Sequence, residues 1–151
     1  MKNWNDTGLT LSIFIGLLFV SCNKEPQAID YGKDPCFSCQ MTIVDKIYGA
    51  EIITDKGKVY KFDAAECLIR FKNELTESKV GYQFVTNYVE EPEKFIPMNE
   101  AKYLISENLP SPMGAFLTAF KTEKHILEMQ QEVGGKIFTW NELEQYFKEK
   151  K

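Results

Sequence analysis

Three sulfur-bearing side chains fall within six residues of the sequence, in Cys36-x-x-Cys39-x-Met41. They follow Asp34-Pro35, which opens a turn. Thiolate and thioether are soft donors that suit Cu(I), a d¹⁰ ion that accepts two to four such ligands without strict geometry. Zinc binds cysteine and histidine readily but gains little from a thioether, so Met41 as a ligand argues for copper over zinc. Two other chemistries fit the same pair of cysteines. Cys36 and Cys39 could form a small disulfide, or they could act as a redox dithiol. A thioredoxin-like dithiol opens a helix, whereas Thr42-Ile43-Val44 reads as extended. Met41, taken singly, could equally be a core methionine.

Further sulfurs lie outside this turn. Cys67 falls in the first turns of an expected helix, at the edge of its apolar stripe. It is either a structural thiol or the third member of a soft site. Met113 sits in Pro112-Met113-Gly114, a break in the chain that reads as exposed, and Met98 in Ile96-Pro97-Met98-Asn99 makes a weaker case of the same kind. Met129 lies on a helical apolar face and reads as core. The chain has one histidine, His125, beside Lys124 on an expected helix. An enzyme relying on histidine for acid–base work, and a metal site of several histidines, are thereby set aside.

The fourth cysteine, Cys22, has a different context. Lys2 gives a positive start, and Leu9 to Val20 is an apolar run of 12 residues. A bilayer crossing needs roughly 20, so the run reads as the core of a secretory signal. It ends at Phe19-Val20-Ser21-Cys22, which resembles a bacterial lipobox with Phe19 at a place where leucine is commonest. Residues 1–21 are therefore expected to be a signal peptide, Cys22 to carry lipid, and residues 22–33 to form the anchor and a polar tether. The domain is expected over 34–151, held at a membrane in the bacterial envelope and facing the periplasm or the exterior. Spending Cys22 on lipid leaves three thiols. An odd number in an oxidising compartment leaves at least one unpaired, a mild argument for metal ligation.

The elements that must hold these sulfurs follow from pattern. The mature 130 residues suit one domain with a real core. The net charge is −4 with acids and bases mixed, which gives no basic face for nucleic acid. Gly49–Thr54 and Val59–Phe62 read as strands of a hairpin turning at Asp55-Lys56-Gly57-Lys58. Asp63 with Glu66 has capping-box spacing ahead of a helix bearing Leu68, Ile69 and Phe71. Tyr82–Val89 and Ala101–Ile105 read as strands, with Pro92 and Pro97 breaking the loop between them. Met113–Phe120 reads as a strand, with helix the alternative. Thr122 is expected to cap a helix to Val133, ended by Gly134-Gly135. A short strand at Ile137-Phe138 and a helix over Asn141–Lys148 close the chain. The fold class is α+β: two similar ββα-type halves forming one small domain, plus a C-terminal helix.

Taken together, these residues resemble the NosL family of lipoproteins, Cu(I) chaperones for maturation of nitrous-oxide reductase. The resemblance runs through Cys22, then Cys36-x-x-Cys39-x-Met41-x-Ile43, then Phe62-Asp63 and Cys67. It continues through Pro112-Met113-Gly114, Ala119-Phe120, Gly134-Gly135 and Trp140-x-Glu142-Leu143. It implies a Cu(I) site of cysteine and methionine sulfurs, with Cys39 and Met113 foremost, then Cys36 and Met41. Gln40 stands where many members have glycine. Many members also place a nitrogen or oxygen ligand nearby. Here His125 alone could serve, which favours a sulfur-only site or one including Cys67. The implied role is carriage, not catalysis, with partners among envelope copper-transfer or reductase-assembly proteins and an ABC-type transporter. The residues alone leave two other roles open: an envelope thiol-disulfide protein using Cys36 and Cys39, and a structural lipoprotein.

Overall fold

The computed structural model of the chain describes residues 25–75, 80–89 and 94–150. The expected signal peptide and Cys22 lie outside the described residues. Strand β1 (Ala50–Ile53) is buried along its whole length and pairs antiparallel with β2 (Val59–Phe62), Ala50 opposite Phe62. The hairpin closes at Thr54, whose N–H donates to the Lys58 carbonyl at 2.9 Å and whose hydroxyl accepts the Lys58 N–H. Gly57 takes φ +78° there, a backbone region that costs glycine nothing. Helix α1 (Ala65–Lys72) then crosses from β2 to β3 (Tyr82–Thr86), which pairs on the other edge of β1. A short strand β4 (Phe95–Pro97) extends the sheet beside β3, giving the order β2-β1-β3-β4.

The second half repeats this path. Strand β5 (Lys102–Ile105) pairs antiparallel with β6 (Leu117–Phe120), helix α2 (Glu123–Val133) crosses over, and β7 (Lys136–Phe138) pairs on the other side of β5. The order β6-β5-β7 matches β2-β1-β3 position for position. Each half is thus β-β-α-β with its first strand in the middle, which extends the expected ββα repeat by one strand. Helix α3 (Trp140–Glu149) completes the chain. Thr122 caps α2 as expected, accepting the His125 N–H, and Gly134 at φ +70° ends it. Thr139 and Glu142 form a full capping box on α3.

One apolar cluster joins the halves. It holds Ile52, Phe62, Leu68 and Val85 from the first and Tyr103, Leu117, Phe138 and Leu143 from the second. A smaller cluster of Leu104, Phe120 and Ile126 lies under α2. Each fully buried side chain of this size contributes about 1.5–3 kcal/mol, so a core shared in this way stabilises the two halves together.

Four expectations are corrected. Asp63 does not cap α1: Ala64 occupies the cap without a side-chain bond, while Asp63 is buried with Oδ1 unpartnered. Phe95–Pro97 is a strand, not a break. It lies at the sheet edge, where proline is tolerated because its missing N–H faces no neighbour. The strand expected over Met113–Phe120 begins at Leu117, because Gly114 and Phe116 both adopt positive φ and turn the chain. The strand expected over Tyr82–Val89 stops at Thr86, beyond which the Tyr88 N–H bonds to Ala119 of the other sheet. In addition, part of the segment read as tether lies on the sheet. Gln27 donates its N–H to Glu51, Ile29 is buried, and Gly32 bonds to Ile43. Among the described residues no helix is long and apolar enough to cross a membrane.

Candidate metal centre

The thiol loop is a closed ring of backbone. Pro35 bridges Thr42, the Cys36 N–H donates to the Met41 carbonyl at 2.7 Å, and the Gln40 N–H returns to the Cys36 carbonyl at 2.9 Å. Turning this tightly forces Gln40 to φ +64°, the left-handed region that glycine enters freely. Here the Gln40 side chain adds a bond of its own, Nε2 to the Phe37 carbonyl at 2.7 Å.

Two anchors hold the ring against the first half. The Phe37 N–H donates to the Lys61 carbonyl on β2 at 2.9 Å, and the Phe37 ring meets Tyr60 and Phe71 edge-on at 4.5 and 4.9 Å. Lys61 also reaches Asp34 and the Ala28 carbonyl through Nζ, both at 2.7 Å. The chain on either side of Pro35 is therefore tied to one strand. Cys67 arrives separately, as the third residue of α1.

These elements bring Cys36, Cys39 and Cys67 together. All three are free thiols, and their sulfurs lie within 4.8 Å of one another. Cys36 and Cys67 are fully buried, whereas Cys39 is half-buried and forms the solvent side of the group. The Cys67 thiol donates to the Cys36 sulfur. The backbone N–H groups of Cys39 and Asp63 reinforce that bond and bring the Cys36 thiol down to about 5 against burial. Donation to Cys36, together with burial, pushes Cys67 far up. Burial raises Cys39. One thiolate shared by two thiols is a poised soft-donor set, since a thiophilic ion displaces the remaining protons as it binds.

Two buried carboxyls lie beside the sulfurs. Burial, with the charge on Cys36 next, raises Asp63 to about 6. Burial also raises Glu66, which is fully enclosed and accepts a hydrogen bond from the Ser111 hydroxyl. Neither carboxyl, nor Ser111, was recognisable as part of the site from sequence. Asp63 and Glu66 have the spacing of a helix cap, and the partner of Glu66 lies 45 residues away in the other half.

The other candidates separate. Met41 contributes backbone bonds to Cys36 and Cys39, but its side chain is largely exposed, at 47%. Met113 is half-buried and packs against the core cluster that contains Cys36 and Cys67. Met98 is core, 1% exposed under Tyr103, whose hydroxyl donates to its carbonyl. His125 caps into the first turn of α2 and is not one of the converging groups.

Fold and site define a two-half α+β protein with a partly open three-thiol centre, suited to holding a thiophilic metal ion. Residues 27–147 match the NosL family, and the chain belongs to that family. The crystal structure of the copper chaperone NosL from Shewanella denitrificans has the same fold. Its TM-score is 0.70 at 24% identity, covering 80% of this chain and 96% of that one. No curated protein matches the chain in sequence.

Proposed function

We propose that this protein is a membrane-anchored Cu(I) chaperone that delivers copper for maturation of nitrous-oxide reductase or a similar envelope copper enzyme. The observation that carries the reading is the convergence of three free thiols with one on the solvent side, in a member of the NosL family. Three thiolates favour Cu(I) over harder ions. The half-buried Cys39 is the point at which a partner's thiolate or thioether enters. It displaces Cys39 first and the buried sulfurs after it, so the ion passes without a change of oxidation state. Lipid on Cys22 would confine donor and acceptor to one surface and raise their effective concentration.

Anaerobic titration of the reduced protein with Cu(I), with X-ray absorption to count sulfur ligands, tests the copper reading. One tightly held Cu(I) per chain with a sulfur-only shell is expected. No detectable binding would overturn it. Cell fractionation of a Cys22→Ser variant tests the anchor, and a variant still bound to membrane would remove it. Thiol trapping separates the rival redox reading, which requires a Cys36–Cys39 pair that is mostly oxidised and cycles with a reductant.

A further inference from the structure

Glu66 is a buried carboxyl beside the site that stability alone does not explain. Its side chain is fully enclosed; the Ser111 hydroxyl donates to Oε1 at 2.5 Å, and the backbone N–H groups of Glu66 and Ala115 favour the charged form, while Oε2 has no hydrogen-bond partner. Burying a carboxyl this poorly satisfied costs free energy that an apolar side chain would avoid. What the arrangement achieves is placement. Glu66 immediately precedes Cys67 on α1, in the first half. Ser111 lies in the middle of the β5–β6 loop of the second half and organises it. Its carbonyl accepts the Gly114 N–H at 3.0 Å, and its hydroxyl accepts the Leu117 N–H at 3.3 Å. The Ala115 N–H faces the same Glu66 carboxyl. Met113 lies midway between Ser111 and Ala115, in the turn so closed, and packs against the cluster that holds Cys36 and Cys67.

We infer that Glu66 is a positioning residue that clasps the Met113 loop to the thiol-bearing helix, so that the Met113 thioether joins the cysteine sulfurs around the metal. The inference rests on the Cu(I) reading above. It makes the site a joint product of both halves: three thiols from the first, and a thioether delivered by the second through one carboxyl–hydroxyl bond. Ser111 is the other half of the clasp.

The test uses the full reduced chain in detergent, with Cu(I) affinity read by competition with a chromophoric chelator and sulfur number read by X-ray absorption. Glu66→Ala and Ser111→Ala are each expected to weaken Cu(I) about tenfold, the usual scale for a group that orients a ligand. Each should also lower the sulfur number by one, as should Met113→Ala. Glu66→Gln should keep both properties, because its amide oxygen still accepts from Ser111. The double variant Glu66→Ala/Met113→Ala should bind no more weakly than Met113→Ala alone. A full sulfur number in Met113→Ala or in folded Glu66→Ala would overturn the clasp, as would losses that add. If Glu66→Ala fails to fold, Ser111→Ala, which deletes a single hydroxyl, decides. A wild-type chain that binds no Cu(I) would instead overturn the chaperone reading itself.

Discussion

Replacing Glu51 by glutamine should stabilise the protein, and by an amount that depends on pH. Glu51 sits on β1, fully buried, with the Gln27 N–H donating to its two oxygens at 2.9 and 3.2 Å. Burial raises its carboxyl from 4.5 to about 7, and the Gln27 bond and the Lys61 charge offset this in part. Between those values the unfolded chain is ionised while the folded chain holds the proton. The folded state therefore binds more protons, and stability falls as pH rises from 4.5 through 7. The full difference is about 3 kcal/mol at 1.36 kcal/mol for each unit. Glutamine has the same shape, cannot ionise, and still accepts the Gln27 N–H.

Urea and thermal unfolding of both proteins across pH 4 to 8 measure this. Near pH 4 the two curves should coincide. Above pH 7.5 Glu51→Gln should be more stable by about 3 kcal/mol, or roughly 10 °C in Tm. Asp63 and Glu66 are also raised by burial and push the wild-type profile the same way. They are common to both proteins, so the difference curve isolates Glu51. Parallel profiles, or a Glu51→Gln protein less stable at pH 8, would refute the reasoning.

Further outcomes are expected. Serine at Cys36 or Cys67 removes a buried sulfur and should weaken Cu(I) at least tenfold by chelator competition. Saturating the wild-type chain at 100 times its Kd should add about 2.7 kcal/mol to its stability. Gln40→Val places a β-branched residue at φ +64° and should cost about 1–2 kcal/mol in urea unfolding. Gln40→Gly should be nearly neutral, since relief of that conformation is offset by unfolded-chain entropy and the lost bond to Phe37. Gly135→Ala should destabilise by about 3 kcal/mol, because its Cβ would lie 2.3 Å from the Ile105 carbonyl oxygen. Gly134→Ala, with open space around it but φ +70° and ψ −163°, a region essentially only glycine enters, should cost about 1–3 kcal/mol by the same measurement.

Local chemistry was legible where a pattern has one physical solution. The Asp55-to-Lys58 turn, the Thr122 cap and the Gly134 stop each appear where residue type required them. The pattern failed where a residue's role depends on partners distant in sequence. Asp63 and Glu66 carry cap spacing, but Glu66 is drawn inward by Ser111 and Asp63 is buried beside Cys36. Phe95–Pro97 pairs with Phe84–Thr86 despite the proline, because an edge position asks less of the backbone. The sulfurs show the same division. The Cys36-x-x-Cys39 turn was readable as a candidate site. That Cys67 joins it, and that Met41 faces solvent, follow from how α1 packs on β2, which no local spacing encodes.

The repeated topology explains why the centre sits where it does. In both halves the middle strand's partner ends in phenylalanine, Phe62 or Phe120, and a helix begins three residues later. The third residue of that helix is Cys67 in the first half and His125, the single histidine, in the second. Equivalent positions thus carry metal-capable side chains, but only the first gathers companions among the described residues. The difference lies in what precedes the middle strand. The first half is entered through a segment pinned to β2 by Lys61, which delivers Cys36 and Cys39 to the start of α1. The second half has no such thiol loop. Its β5–β6 loop instead reaches back through Ser111 to the residue next to Cys67. A fold built twice therefore gathers its thiols once, at the start of the first helix, with a loop of the second copy bonded to the residue beside them.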